Sequence, residues 1–110
     1  MAIYNSFVDN LTTSQIFLST GEIAVTTMIF CNVTTGTTAL LDVYVVPLGQ
    51  NPGGTDPNQI MKGVILPPGE TFVLDTERLI LAGGDSIFAG VNSEATSSTI
   101  VATVSTVVVG

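Results

Sequence analysis

The chain is predicted to be all-β: a single antiparallel β-sandwich of about eight strands, jelly-roll or immunoglobulin-like, spanning residues 1–110 as one domain. Three observations predict it. Val, Ile and Thr dominate the sequence, and their branched Cβ atoms favour extended backbone over helix. Short apolar runs alternate with turn signals, most clearly Pro67-Pro68-Gly69 and Gly83-Gly84-Asp85. Proline presets φ for a turn, and glycine accepts the positive φ that other residues resist. Finally, no segment sustains a 3.6-residue apolar period, although residues 75–81 leave room for one short turn.

The elements follow in order. Residues 1–20 open the chain with two weaker strand candidates, 3–8 and 15–19, in a segment that allows an extended arm. Residues 22–33 read as a long strand. Its alternation places Ile23, Val25, Thr27, Ile29, Cys31 and Val33 on the core face, with Met28 and Phe30 outward. Residues 39–46 read as a second long strand, core face Ala39, Leu41, Val43 and Val45, outward Leu40, Asp42, Tyr44 and Val46. The short loop around Gly36 predicts that these two strands pair as a hairpin. Residues 49–58 are dense in Pro, Gly, Asn and Asp and form the longest loop. Strands are then expected at 60–66, 71–74, 79–81, 86–92 and 99–109, the last with Ile100, Ala102, Val104, Thr106 and Val108 inward.

Composition excludes several functions. Hydrophobic residues make up 45% and charged residues 10%, a balance that can bury a core. The formal charge is −7, and Lys62 and Arg78 are the two cations. Nucleic-acid and anionic-membrane surfaces both recruit clustered cations, so no nucleic acid and no membrane is expected as a partner. The opening residues show neither a positive n-region nor an apolar core, so synthesis in a cytosol is expected. Cys31 is the single cysteine and has no internal disulfide partner. It is expected to be a small buried hydrophobe.

Catalytic chemistry is sparse. Histidine is absent, so Ser-His-Asp and Cys-His arrangements cannot form. Cys/His zinc sites fail with one cysteine. Asp75 with Glu77, and Glu70 with Asp85, are the carboxylate pairs that turns could unite for glycoside hydrolysis, but Trp is absent and Tyr4 and Tyr44 are the two tyrosines available as sugar platforms. Loop oxygens from Asp56, Asn51 and Asn58, or from Asp75, Glu77 and Asp85, invite a calcium reading. Asx turns account for the first set equally well. No catalytic residue, cofactor or metal ligand is assigned, and the chain is expected not to be an enzyme. Asn10-Leu11-Thr12 and Asn32-Val33-Thr34 match glycosylation acceptors, as chance allows in a Thr-rich chain.

The order of parts resembles small β-sandwich virion structural proteins of tailed bacteriophages. It is carried by Cys31-Asn32-Val33-Thr34-Thr35-Gly36 between two long strands, by Asp42-Val43-Tyr44-Val45-Val46-Pro47, by Leu66-Pro67-Pro68-Gly69-Glu70-Thr71, and by Leu81-Ala82-Gly83-Gly84-Asp85-Ser86-Ile87. The likeness covers roughly residues 22–109. It implies a capsid decoration or cement protein, on the outer capsid surface of a particle made in a host cytoplasm. The partner would be the major capsid protein or another virion protein. A homo-oligomer, trimer favoured, is implied as well. The alternative it implies is a tail, neck or fibre component acting as a carbohydrate- or receptor-binding module, with Tyr44 and the 49–58 loop as its contacts. The outward apolar residues Met28, Phe30, Leu40, Tyr44, Val46, Val107 and Val109 are the expected interface, because interface centres are poor in charge and rich in Met and aromatics. The apolar stretch 106–110 is expected to be free to add to a neighbouring sheet edge.

Overall fold

In the computed structural model the chain forms eight antiparallel strands among the described residues, which are 2–9, 13–34, 37–53, 56–93 and 99–109. Within these, the side chains of Asp9, residues 75–78 and residues 92–93 lie outside the description. The strands are β1 (Ala2–Asp9), β2 (Thr13–Leu18), β3 (Ile23–Asn32), β4 (Ala39–Val46), β5 (Gln59–Leu66), β6 (Thr71–Leu81), β7 (Ser86–Ser93) and β8 (Thr99–Val108). One sheet has the order β1-β8-β3-β6 and the other β2-β7-β4-β5. The first strand thus pairs with the eighth, the second with the seventh, the third with the sixth and the fourth with the fifth. The chain is one long hairpin folded over itself, which is the jelly roll. The immunoglobulin-like alternative drops out.

Only the β4–β5 connection stays within a sheet. The predicted hairpin between residues 22–33 and 39–46 does not exist: β3 and β4 belong to different sheets, and the link between them crosses the sandwich. A short loop is compatible with either route, and Thr35 and Gly36 lie outside the described residues. The physical reason for the crossing is Asn32, buried at the end of β3. Its amide Nδ2 donates to the carbonyls of Thr37 (2.9 Å) and Leu66 (2.8 Å), and its Oδ1 accepts from Thr34 N–H (3.0 Å). Its backbone N–H donates to Glu70 O and its carbonyl accepts from Gly69 N–H. One residue therefore fastens the crossing after β3 to the neighbouring crossing after β5. Burial of the same amide removes Asn32 as a glycosylation acceptor; Asn10 lies outside the described residues.

Turn chemistry behaves as predicted. At Pro67–Glu70 and Ala82–Asp85 the fourth N–H donates to the first carbonyl at 3.1 Å. The third residue of each, Gly69 (φ 78°) and Gly84 (φ 93°), takes the positive φ of a type II turn. The predicted strands at 71–74 and 79–81 are one continuous strand, β6, with no helical turn between them. β1 and β2 are integral strands, so the N-terminal segment is not a free arm.

Side-chain facing in β3 departs from strict alternation. Its register slips between Val25 and Thr27: against β8, whose consecutive Thr106 and Ser105 they face, Thr26 is the extra residue of a β-bulge, whereas against β6 the extra residues are on β6, between Asp75 and Leu79. Thr26 Oγ1 donates to Ser105 O at 3.1 Å. Beyond the bulge every side chain changes face. Ile23 and Val25 point inward as predicted, but Met28 and Phe30 are then the inward pair, each 0% exposed. Thr27, Ile29 and Cys31 turn outward instead, and Val33 is exposed. Cys31 is a half-buried thiol, not a core residue. In β8 the predicted inward set holds for Ile100, Ala102, Val104 and Thr106, while Val108 is exposed. Core residues from both sheets close on one another, Met28, Phe30 and Val104 against Leu41, Val43, Ile87 and their neighbours.

Two stability measurements check this layout. Phe30→Ala should lower unfolding free energy by about 3–5 kcal/mol, the range for a buried aromatic, while Ile29→Ala should cost under about 1 kcal/mol. Chemical denaturation distinguishes them, and the reverse ranking would restore the unbulged register. Asn32→Leu should cost about 3 kcal/mol or more, because it strands buried carbonyls and an N–H without partners.

Candidate interaction surfaces

Two of the carboxylates considered for a catalytic or metal site, Asp85 and Asp56, hold loops. Asp85 Oδ1 accepts from Leu48 N–H (3.0 Å) and Oδ2 from Ala82 N–H (2.9 Å), while its carbonyl accepts from Ser19 N–H (2.8 Å). It thereby ties the turn after β6 to the crossing after β2 and to the loop after β4. Glu70 and Asp85 flank opposite ends of the 11-residue β6, roughly 35 Å apart at strand rise, so they form no catalytic pair. Asp75 and Glu77 have side chains outside the description. In the β4–β5 loop, Asp56 Oδ2 accepts from Asn51 N–H (2.9 Å), and Asn58 Oδ1 from Gly53 N–H (2.8 Å). Asn58 Nδ2 donates to Asn51 O (2.7 Å). These are the Asx-type bonds of a self-sufficient loop. Among the described residues no three His, Cys, Asp or Glu side chains gather as a metal site.

The same loop covers part of the outer face of the second sheet. Gly53, at φ 68°, lies against the ring of Tyr44: a Cβ there would sit 3.1 Å from Cε2. Tyr44 is half-buried and Val46 buried. Neither is the free interface residue the sequence predicts; for Tyr44 the reason is that local alternation cannot register a loop folding back over its own strand. Burial, and next the carboxylate of Asp42, raises the Tyr44 phenol above its ordinary value of 10.0. Asp42 Oδ1 also accepts from Gly63 N–H at 2.8 Å, where Gly63 (φ 65°) forms a bulge in β5. Leu40 is half-buried on this face, close to Ile65 across the register.

A free face does exist on the first sheet. Its outward side chains line up in rows across the strands. Phe7, Val101, Cys31 and Thr71 form one row; Asn5, Thr103, Ile29 and Val73 the next; Ile3, Ser105 and Thr27 the third, with Asp75 at the paired backbone position of β6; Val107, Ala24 and Ile80 the fourth, over three strands. Ile3, Phe7, Val73, Ile80 and Val107 are exposed. Among the described side chains of these rows none is charged; the side chains of Asp9 and of residues 75–78 lie outside the description. Thr103 Oγ1 donates to Asn5 Oδ1 at 2.8 Å. The predicted interface residues therefore separate. Val107 belongs to this face, and exposed Val109 lies just past it with its N–H on Glu22 O. Met28 and Phe30 belong to the core. The C-terminal strand is not free to extend a neighbour's edge, because β8 lies between β1 and β3. Phe7, Ile3, Ile29 and Val73 were missed by sequence reasoning. For Ile29 the missing signal is the bulge; for Val73 it is the pairing of β6 with β3, and for Ile3 and Phe7 the pairing of β1 with β8.

An open groove of ≈ 470 Å³ at one end of the sandwich is lined by Cys31, Asn32, Val33, Thr34, Pro68 and Gly69. It has no charged group on its walls.

No family model, no curated protein and no solved structure matches this chain.

Tyr44 supplies a pH test. Its raised phenol disfavours the phenolate in the folded state, so stability is complete below the free tyrosine range and falls as pH rises through the Tyr44 value. In a Tyr4→Phe background, spectrophotometric titration should find Tyr44 above the ordinary value, and Asp42→Asn should bring it down.

Proposed function

We propose that this chain is a structural component of a bacteriophage particle, a decoration or cement protein that binds the shell through the outer face of its first sheet. The observation that carries this reading is that face: four strands wide, and aliphatic and hydroxylic in its described side chains. Exposed contiguous apolar surface of this kind marks protein contact. The jelly roll agrees with the reading as a fold used in viral capsids, though fold alone is analogy. The acids described above, Asp42, Asp56 and Asp85, work as loop ties, which fits a building part better than a catalyst.

The receptor-binding alternative loses its main contact, because Gly53 shields the ring of Tyr44 and the neighbouring Asn and Asp side chains bond within their own loop. The major capsid protein remains the preferred partner.

Quantitative mass spectrometry of purified particles should find this chain at a copy number close to that of the shell protein. A few per cent would move it to tail, neck or fibre, and absence would end the virion reading. In reconstitution on particles lacking the protein, Val73→Lys and Ile80→Lys should each abolish binding while leaving the unfolding midpoint nearly unchanged. Retained binding by both variants would shift the docking surface elsewhere.

A further inference from the structure

A two-sheet sandwich has four edge strands, and an exposed edge is a template for pairing unless it is blunted. Three of the four are blunted here. β2 is short and its register slips between Gln15 and Phe17. β5 slips twice against β4 and carries Lys62 and the positive-φ Gly63. β6 bears Asp75, Glu77 and Arg78 along its length.

β1 has none of these devices. Its pairing with β8 runs unbroken from Ala2 to Asp9, and no charge, proline or glycine occurs before Asp9. It is also exposed on the outward side: Ile3 is 63% and Phe7 69% accessible, with Asn5 exposed between them. These three residues read the same in both directions about Asn5, as apolar, amide, apolar. Tyr4 packs inward on Phe17, with ring centroids 5.0 Å apart, which holds the strand in place from beneath.

We propose that β1 pairs antiparallel with β1 of a second copy of this chain, across a two-fold axis at Asn5. In that register Asn5 faces the partner's Asn5, and Ile3 faces the partner's Phe7 on both sides of the axis. Two aliphatic–aromatic cross-strand pairs then flank an amide pair, all on one face. The pairing joins the two first sheets into one continuous eight-stranded sheet whose outer apolar face is doubled. Charge permits the same edge. At a net charge of −7, two copies repel wherever acidic surfaces meet, and the Ala2–Val8 stretch, like the β2 and β5 edges and unlike β6, brings no acid to the contact. Seven paired residues, Ala2 to Val8, bury on the order of 500 Å² per copy, below the ~800 Å² of a standard interface, so an association in the micromolar range is expected. This two-fold pairing differs from the trimer implied by the family resemblance, and it concerns the isolated chain, so it stands or falls independently of the virion reading.

Sedimentation equilibrium across the micromolar range, with the wild-type chain, should give a monomer–dimer equilibrium. Asn5→Lys places two like charges face to face and should weaken the dimer about tenfold or more, with an unchanged unfolding midpoint. On a Cys31→Ser background, Asn5→Cys should oxidise to a covalent dimer, because directly opposed residues lie within disulfide reach. Gln15→Cys on the β2 edge, in the same background, should not. A monomer at every concentration, a trimer, a dimer indifferent to Asn5→Lys, or equal cross-linking at both cysteine positions would overturn the proposal.

Discussion

The amide of Asn32 is the interaction on which the rest of the sandwich depends. A jelly roll must carry a paired double strand from one sheet to the other without leaving buried polar backbone unpaired. Here the crossings after β3 and β5 run side by side, and Asn32 bridges them with side chain and backbone together. The opposite end repeats the arrangement with a different residue. There the crossings after β2 and β6 are joined by Ser19 N–H to Asp85 O and by Gly84 N–H to Ser19 O, both 2.8 Å, and the Asp85 carboxylate adds the β4–β5 loop. An amide is needed at the buried corner, where a charge would be desolvated, whereas a carboxylate serves at the wetter one.

These corner duties also occupy the carboxylate of Asp85. A carboxylate that accepts two backbone N–H bonds has its lone pairs directed at the chain, not toward a substrate or cation. What the surface offers in its place is breadth: a four-stranded face, aliphatic and hydroxylic in its described side chains, beside an edge strand that nothing blunts. The two features are continuous through Ile3, Asn5 and Phe7, which belong both to the rows of the face and to the open edge.

Much of the fold was legible in the sequence because turn chemistry is local. Pro67-Pro68-Gly69 and Gly83-Gly84-Asp85 carry in their own residues the φ requirements of the turns they form, and strand boundaries follow from them. Facing and pairing were less legible because they are not local. Ile23 and Val25 were placed correctly, but one extra residue at Thr26 inverted Met28, Phe30, Ile29 and Cys31, and nothing in a Thr-Thr pair announces a bulge. Likewise the short loop after β3 looked like a hairpin because its length says nothing of which sheet receives β4. The candidate face shared that fate: its members are adjacent only through the pairing of β1 with β8 and β8 with β3, far apart in sequence.

That pairing has a consequence for how the molecule comes to exist. β8, the last strand in chain order, is flanked on both sides, by the first strand and the third. The sheet therefore has no nucleus that can be completed from its beginning outward, and β1 has no partner until nearly the whole chain is available. Closing such long loops before any contact rewards them places this topology at the slow end of small-domain folding. While it waits, the undefended strand is the one most exposed to other copies. Loss of a few C-terminal residues would then remove the middle of a sheet, not its margin, and the damage would reach the first strand before it reached the second.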